Sequence, residues 1–305
     1  MGRRRRATDL DGILLIDKEP GWTSHDVVAK LRGITGQPRI GHTGTLDPAA
    51  TGLLVVCFGQ ATRLVEYMTV HDKSYTGEVV LGVTTDTDDA AGSELARAPV
   101  PALDDAGLRR LEARFTGTIE QVPPAFSAVQ VGGERAYAAA RAGRPHAIAP
   151  RPVRIDRLRL TPTAPDRLTL TLTLDCGPGT YVRSLARDIG AELGCGAHLA
   201  ALRRTRVDRF LVEEAATIGD LAEVVQADLL DALLLPPDDG ITAIEAALVD
   251  EDTEQRLRWG QDAPVTALTS PTGDLRVYGT GGAFVGMAAL TLAGLKALKI
   301  FRPDG

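Results

Sequence analysis

The sequence predicts an α+β protein that builds antiparallel strand pairs and ends in a small β-rich unit. Three observations carry this. Residues 167–176 alternate strictly, with Leu168, Leu170, Leu172 and Leu174 on one face, and a polar turn joins them to a neighbouring run with Val153, Ile155, Leu158 and Leu160. Neighbouring runs joined in this way favour an antiparallel pair. Segments of helical spacing, with capping residues in front and glycine behind, stand between the strand candidates. Beyond residues 236–240 (Pro-Pro-Asp-Asp-Gly), the best linker in the chain, short strand candidates are separated by Gly, Pro and Thr.

In chain order, residues 12–17 (Gly-Ile-Leu-Leu-Ile-Asp) read as a buried strand, followed by a turn through Lys18, Pro20 and Gly21. Thr23 and Asp26 fit a capping box, Val27, Leu31 and Ile34 share a helical face, and Gly36 ends the helix. Residues 41–52, Gly-His-Thr-Gly-Thr-Leu-Asp-Pro-Ala-Ala-Thr-Gly, form a loop of specified geometry, and the apolar run 53–58 after it is a buried strand. Asp47 therefore sits on a stiff loop fixed to the core, which is how a scaffold presents a reactive carboxylate.

A helix with Leu64, Val65 and Met68 inward comes next, then a strand over 73–81 with Tyr75, Gly77, Val79 and Leu81 on one face. Residues 84–92 are a polar turn; Asp86, Asp88 and Asp89 lack the glycine and terminal glutamate of an EF-hand loop, so no metal is expected. Asp104 caps a helix carrying Leu108, Leu111 and Phe115, residues 126–131 are strand-like, and 134–142 are helical, closed by Gly143. After the strand pair, residues 176–179 turn the chain into a helix that buries Val182, Leu185, Ile189 and Leu193 and stops at Gly194. Short helices are expected at 218–225 and 228–235, and strands at 265–268, 274–278, 283–288 and 296–301.

The 305 residues suffice for one large or two ordinary domains, with 44% hydrophobic content. Cys57, Cys176 and Cys195 are far apart, which suits a reducing compartment and suggests neither a disulfide framework nor a zinc site. The four arginines at 3–6 belong to a basic start, residues 1–10, expected to be disordered; no apolar stretch follows them to make a secretory signal. No apolar run reaches membrane-span length, so a cytoplasmic protein is expected. The net charge of −6 is unevenly spread. Residues 211–254 hold thirteen acidic residues and no Lys or Arg, which leaves 34 basic against 27 acidic residues elsewhere. Basic residues gather at 3–6, 135–159 and 203–209, and local basic surface, not the whole-chain sum, is what binds phosphate.

Residues 41–52 resemble, position for position, the catalytic loop of the bacterial tRNA uridine-55 pseudouridine synthases of the B type, Gly-His-Thr-Gly-x-Leu-Asp-Pro-x-Ala-Thr-Gly. The stretch from Asp17-Lys18 to Thr23-Ser24 is similar to the family's Asp-Lys-Pro-x-Gly-x-Thr-Ser, with the proline one place later. Lys73-Ser-Tyr75 matches its Lys-x-Tyr and Gly179-Thr-Tyr-Val-Arg183 its Gly-Thr-Tyr-aliphatic-Arg. Gly194-Cys-Gly-Ala-His198-Leu-x-x-Leu202-Arg203-Arg204 also matches, so the resemblance covers roughly residues 11–210.

The resemblance implies a pseudouridine synthase fold over 11–237, with a mixed, largely antiparallel central sheet and flanking helices. It implies an insertion at about 125–152 that clamps RNA, and a PUA-like RNA-binding domain over 241–305, most visible at Phe284-Val-Gly-Met287. It also implies roles. Asp47 is the nucleophile, Arg183 pairs with it and holds it ionised, Tyr75 contacts the target base, and Tyr181 and Leu202 touch the nucleotide. Lys18 lies near the site, and His42 fills the space left by the flipped base. Arg203 and Arg204 face the RNA, and Arg135, Arg141 and Arg144 of the lid bind phosphate. His198, by contrast, is read from the sequence itself as structural, since it lacks partners suited to acid–base work or metal.

The implied reaction breaks the N-glycosidic bond of a uridine, turns the base and rejoins it through carbon. A carboxylate suits it, because covalent capture divides one hard step into two. The target is stacked within the T-loop, so it must be flipped at a cost of a few kcal/mol. Tyr75 would need local help to act as a base, a phenol having an ordinary pKa of roughly 10. The sequence holds no P-loop and no dinucleotide fingerprint, and no cofactor is expected. The expected partner is the tRNA T-arm, bound by a monomer with no membrane and no obligatory protein partner. Two alternatives are a guide-RNA-dependent synthase that needs partners, and an RNA-binding or tRNA-folding protein.

Overall fold

The computed structural model describes residues 10–127, 129–144, 146–227, 229–264 and 273–302; the arginines at 3–6 and the strand expected at 265–268 lie outside them. Apolar residues on both faces leave the first long strands no solvent side. β1 (Gly12–Lys18) therefore pairs along its whole length with the equally buried strand that follows the Asp47 loop. Between them lie α1 (Ser24–Thr35), with the Thr23–Asp26 capping box and Gly36 in the left-handed conformation, and β2 (Ile40–His42). The long strand itself is β3 (Thr51–Phe58).

A 3-10 helix (Gly59–Leu64) and α2 (Val65–Met68) lead to β4 (Lys73–Leu81), whose buried positions alternate from Tyr75 to Leu81. The hairpin β5 (Val83–Thr85) and β6 (Glu94–Arg97) flanks the acidic turn. α3 (Asp105–Arg114), capped by Asp104, precedes β7 (Gly117–Gln121). The segment expected to clamp RNA holds the hairpin β8 (Gln130–Val131) and β9 (Glu134–Arg135) and then α4 (Ala136–Arg141). β10 (Arg151–Pro162) and β11 (Thr169–Cys176) form the anticipated antiparallel pair. α5 (Val182–Glu192), β12 (Ala197–Val207), β13 (Phe210–Leu211) and α6 (Ile218–Gln226) follow.

The nine-stranded central sheet has the order β1-β3-β12-β4-β11-β10-β7, with β2 added on β3 and β13 on β12. Its strand pairings are antiparallel except where β12 runs parallel to β3, Arg203 beside Thr51 and Arg204 beside Gly52. α5 and α3 cover one half of the sheet through Leu185, Ile189, Leu108 and Leu111, and α1 and α6 cover the other through Val27, Leu31 and Leu221.

The C-terminal unit is a four-stranded sheet of β14 (Ala246–Leu248), β15 (Gly273–Tyr278), β16 (Phe284–Thr291) and β17 (Gly294–Ile300), with α7 (Glu251–Arg258) packed on it through Leu257. Met287 and Phe301 leave that core and join Ile13, Leu53, Val55 and Met68 of the central body. The linker expected at 236–240 is a 3-10 turn (Pro237–Ile241) whose buried Gly240 lies against Met68 and Ile13.

Other expectations need correction. Among the described residues of 126–131 only Gln130–Val131 is strand, and among those of 228–235 the second helix is a 3-10 turn (Leu230–Leu233). Leu168 is 44% exposed, because the chain turns at Arg167, whose φ is 55°, and the buried alternation starts after it. The central strand β12 has no clean alternation to reveal it, since Ala200 and Ala201 sit where the register shifts against β4.

Candidate active site

The loop that carries Asp47 is tied down from three sides. Lys18, at the end of β1, is fully buried, and its Nζ donates to the carbonyls of Trp22 (2.8 Å), Glu19 (3.0 Å) and Pro48 (3.3 Å). Ser24, at the start of α1, exchanges hydrogen bonds with Leu46, accepting from its N–H at 2.9 Å and donating to its carbonyl at 3.2 Å. Arg204 of β12 lies beneath and donates to Gly44 O (3.0 Å), Thr45 O (3.4 Å) and Leu53 O (2.7 Å). Gly52 makes this stacking of strands possible. Its φ is 96°, and a Cβ there would collide with the Arg204 main chain. Two buried cations thus sit under the carboxylate. Burial pushes the Lys18 ammonium below its ordinary range, while Asp47 pulls it back up and Arg204 pushes it further down.

Above the loop, the first turn of α5 supplies Arg183. Its Nε lies 2.9 Å from Asp47 Oδ2 and 3.7 Å from Asp89 Oδ2, and its two terminal nitrogens donate to Thr87 O (3.1 Å) and Phe126 O (3.0 Å). The Arg183 side chain is 7% exposed and that of Asp47 41% exposed. The buried partner is therefore fully bonded, and the carboxylate it orients still faces solvent. Asp89 is itself fixed by Thr87 Oγ1 (2.6 Å) and the Ala91 N–H (3.0 Å).

Asp47 and Arg183 border a cleft of about 340 Å³, at the lower end of the usual range for small-ligand sites. Tyr75, Leu202, Tyr181, Thr43, Phe126 and Lys73 also line it. Burial pushes the Tyr75 phenol above its ordinary range, against a downward pull from Arg204. It stays protonated at neutral pH, so its surroundings oppose a role as base. Tyr181 stands at the N-cap of α5. Gln121 of β7 clamps its main chain, accepting from the N–H at 2.8 Å and donating to the carbonyl at 3.2 Å. The Arg151 guanidinium lies 5.1 Å from the Tyr181 ring centre and donates to Gly179 O at 2.8 Å, holding the ring at the rim.

The structure therefore gathers Asp47, Tyr75, Tyr181, Arg183 and Leu202 around one cleft, with Lys18 behind the loop. His42 lies next to Thr43 and meets His25 of α1 edge to face at 5.5 Å. Its Nδ1 is buried without a hydrogen-bond partner among the described residues. Burial, helped by His25 and Arg204, pushes it down to about 4, so the ring is neutral at physiological pH. In the segment expected to clamp RNA, Arg135 and Arg141 are exposed, and among the described residues no carboxylate pairs with them, whereas Arg144 is 3.6 Å from Glu134.

One expected RNA contact is corrected. Arg204 is 2% exposed and braces the loop from inside, so it offers no outer surface to a phosphate. Arg203 is half-exposed, and its guanidinium donates to both oxygens of Asp17, at 2.9 and 2.7 Å.

Four residues at the site were not singled out from the sequence. Lys73, pushed down to about 8 mainly by burial, shares its strand face with Tyr75, and that two-residue spacing is a readable signal. Asp89 lay inside an acidic run considered only for metal. Gln121 and Arg151 carry no local signal, since each acts on Tyr181 from a distant strand.

Comparison with known proteins accords with this geometry. Residues 32–182 match the model of the TruB family pseudouridylate synthase N-terminal domain, and residues 183–242 that of the tRNA pseudouridylate synthase B C-terminal domain. Proteins named tRNA pseudouridine synthase B are similar over most of the chain. The one from Xanthomonas campestris pv. campestris (strain B100) is 43% identical over 286 residues, 93% of this chain and 92% of its own. The one from Arthrobacter sp. (strain FB24) is 37% identical over 301 residues, 97% of this chain and 98% of its own. The one from Thermobifida fusca (strain YX) is 48% identical over 218 residues, 70% and 74% of the two chains. Among solved structures, a chain of a Cbf5-Nop10-Gar1 complex superposes with a TM-score of 0.75 at 23% identity, covering 98% of this chain and 86% of that one, a likeness of fold alone. The chain belongs to the TruB family of pseudouridine synthases and is an isomerase.

Proposed function

We propose that this chain isomerises the T-loop uridine of tRNA to pseudouridine, with Asp47 as the nucleophile. The observation that carries this reading is the Asp47 carboxylate held 2.9 Å from Arg183 at the mouth of a cleft that also holds Tyr75, Tyr181 and Leu202. In the reaction, uracil leaves the ribose through N1 and rejoins it through C5, and the hydrogen of C5 is exchanged for one on N1. Atoms and electrons balance within the substrate, so the chemistry calls for no oxidant or group donor.

Asp47 provides the anion that divides the exchange into two steps, and Arg183 keeps one of its oxygens aimed while the other is free. Tyr75, a neutral phenol on the cleft floor, supplies a flat face against the base and a hydroxyl hydrogen bond. Tyr181 and Leu202 confine the nucleotide from the other walls. His42 fills the space left in the T-loop stack, a task a neutral imidazole performs without burying a charge. The exposed Arg135, Arg141 and Arg144 hold RNA phosphates as the lid closes over the cleft. The C-terminal unit is read as a PUA-like RNA-binding domain, and the enzyme as a cytoplasmic monomer working without a protein partner.

The test is pseudouridine formation on one unmodified tRNA transcript by the purified chain, with Asp47→Asn beside it. The wild type is expected to modify the T-loop uridine. The variant is expected to lose turnover by about a thousandfold or more and to keep tRNA binding. Substantial turnover in the variant would overturn the nucleophile assignment. Tight binding without product from the wild type would favour an RNA-binding or tRNA-folding protein, or a synthase dependent on partners.

A further inference from the structure

Three arginines from distant parts of the chain meet at a place far from the cleft. Arg39 precedes β2, Arg63 lies in the 3-10 helix after β3, and Arg302 follows β17 of the C-terminal unit. Together with Gln60 they line an open recess of about 350 Å³. All three are exposed. Arg63 donates one N–H to the Ile300 carbonyl. Among the described residues, no carboxylate pairs with any of the three.

Asp11, beside Gln60, directs its two carboxylate oxygens to Gln60. Its Oδ1 accepts from the Gln60 main-chain N–H and its Oδ2 from the Gln60 side-chain amide at 3.1 Å. Gln60 in turn fixes the main chain of Arg302, donating to its carbonyl at 3.0 Å and accepting from its N–H at 2.6 Å. Gln60 therefore ties the central sheet to the C-terminal unit here, and the three cations line the recess around it.

Like charges gathered around a recess repel one another, and among the described residues no carboxylate forms an ion pair with them. A bound dianion or phosphodiester offsets this repulsion, and forked guanidinium groups match its oxygens. The strand β3 starts beside the Asp47 loop at Thr51 and ends beside this recess at Phe58, so the two sites stand on the order of 25 Å apart at the usual rise per strand residue. A phosphate in the recess thus belongs to RNA remote from the target nucleotide.

We propose that Arg39, Arg63 and Arg302 form a second anion site, which takes a backbone phosphate of the tRNA beyond the T-arm and bridges the catalytic sheet and the C-terminal unit. The proposal rests on the tRNA reading above and adds the place where the rest of the tRNA is held. Recognition there is by charge and shape, independent of base identity.

The test compares full-length tRNA transcript with a minimal T-arm hairpin, for the wild type and the Arg39→Gln/Arg302→Gln double variant. Neither guanidinium bonds to the protein among the described residues, and the Gln60–Arg302 main-chain bonds survive the change. For full-length tRNA, the double variant is expected to bind about tenfold more weakly, with the slope of log K against log salt reduced by about one to two. For the hairpin, affinity and pseudouridine formation are expected to equal those of the wild type. Unchanged affinity and slope on full-length tRNA would overturn the site, and an equal loss on the hairpin would overturn its placement beyond the T-arm. Failure of the tRNA reading itself shows separately, as absence of product from the wild type on both RNAs.

Discussion

Arg183 is committed at every guanidinium nitrogen, to Asp47, Thr87 and Phe126, and is nearly buried. A lysine offers one point charge in place of that fork and leaves carbonyls unpaired in the core. Arg183→Lys is therefore expected to lower single-turnover rate by about a hundredfold or more and stability by about 1–3 kcal/mol. Rapid-quench assays and urea melts measure the two losses, and near wild-type turnover would contradict the positioning role. His42 makes a different prediction, about pH. Its folded value of about 4 lies below the ordinary 6.5, so the unfolded chain takes up the proton first as pH falls. The associated stability is complete above about 6.5 and declines down to about 4. Urea melts between those limits should show a shallower pH slope for His42→Gln than for the wild type, and identical slopes would contradict the assignment.

At the scale of elements, the parallel contact between β3 and β12 decides where the reactive loop lies. The rest of the central sheet is antiparallel, and this one junction brings Arg204 under Gly44 and Thr45 and sets Gly52 against the β12 main chain. Gly52→Ala combines a positive φ with a backbone collision, and should destabilise the protein by about 2–4 kcal/mol. A chemical-denaturation midpoint equal to that of the wild type would show that the loop accommodates a Cβ. The same junction explains why Arg204 was misread. In sequence it stands in a basic run, which suggests an RNA-facing surface, but its place in β12 turns it inward beneath the loop.

For the whole molecule, charge is partitioned. The acidic segment 211–254 carries no Lys or Arg, whereas Arg135, Arg141 and Arg144 lie exposed on and just after the β8–β9 hairpin and α4. Replacing these three by alanine is expected to weaken tRNA binding and to lower the salt slope by about two to three, with little change in melting temperature. Filter-binding titrations from low to moderate salt test this, and an unchanged slope would return the three arginines to a solvated face.

How much was legible in the sequence varied with the reach of the forces involved. Local ones wrote themselves into short stretches. The Thr23–Asp26 capping box, the Gly36 stop, the alternation of β4 and β11 and the rigid loop around Asp47 all depend on residues within a few positions of one another. Asp47, Tyr75, Tyr181, Arg183 and Leu202 could be named as a set because each lies in a recognisable motif. The sequence by itself thus determined the elements with strong local patterns, the reactive loop and the family resemblance.

Only the tertiary structure decided what depends on long-range packing. It inserted β12 at the centre of the sheet, buried Arg204, drew Gln121 and Arg151 to Tyr181, and seated Met287 and Phe301 on the central body. Those outcomes are set by which faces meet when apolar surface is removed from water, and no short window of sequence carries that information.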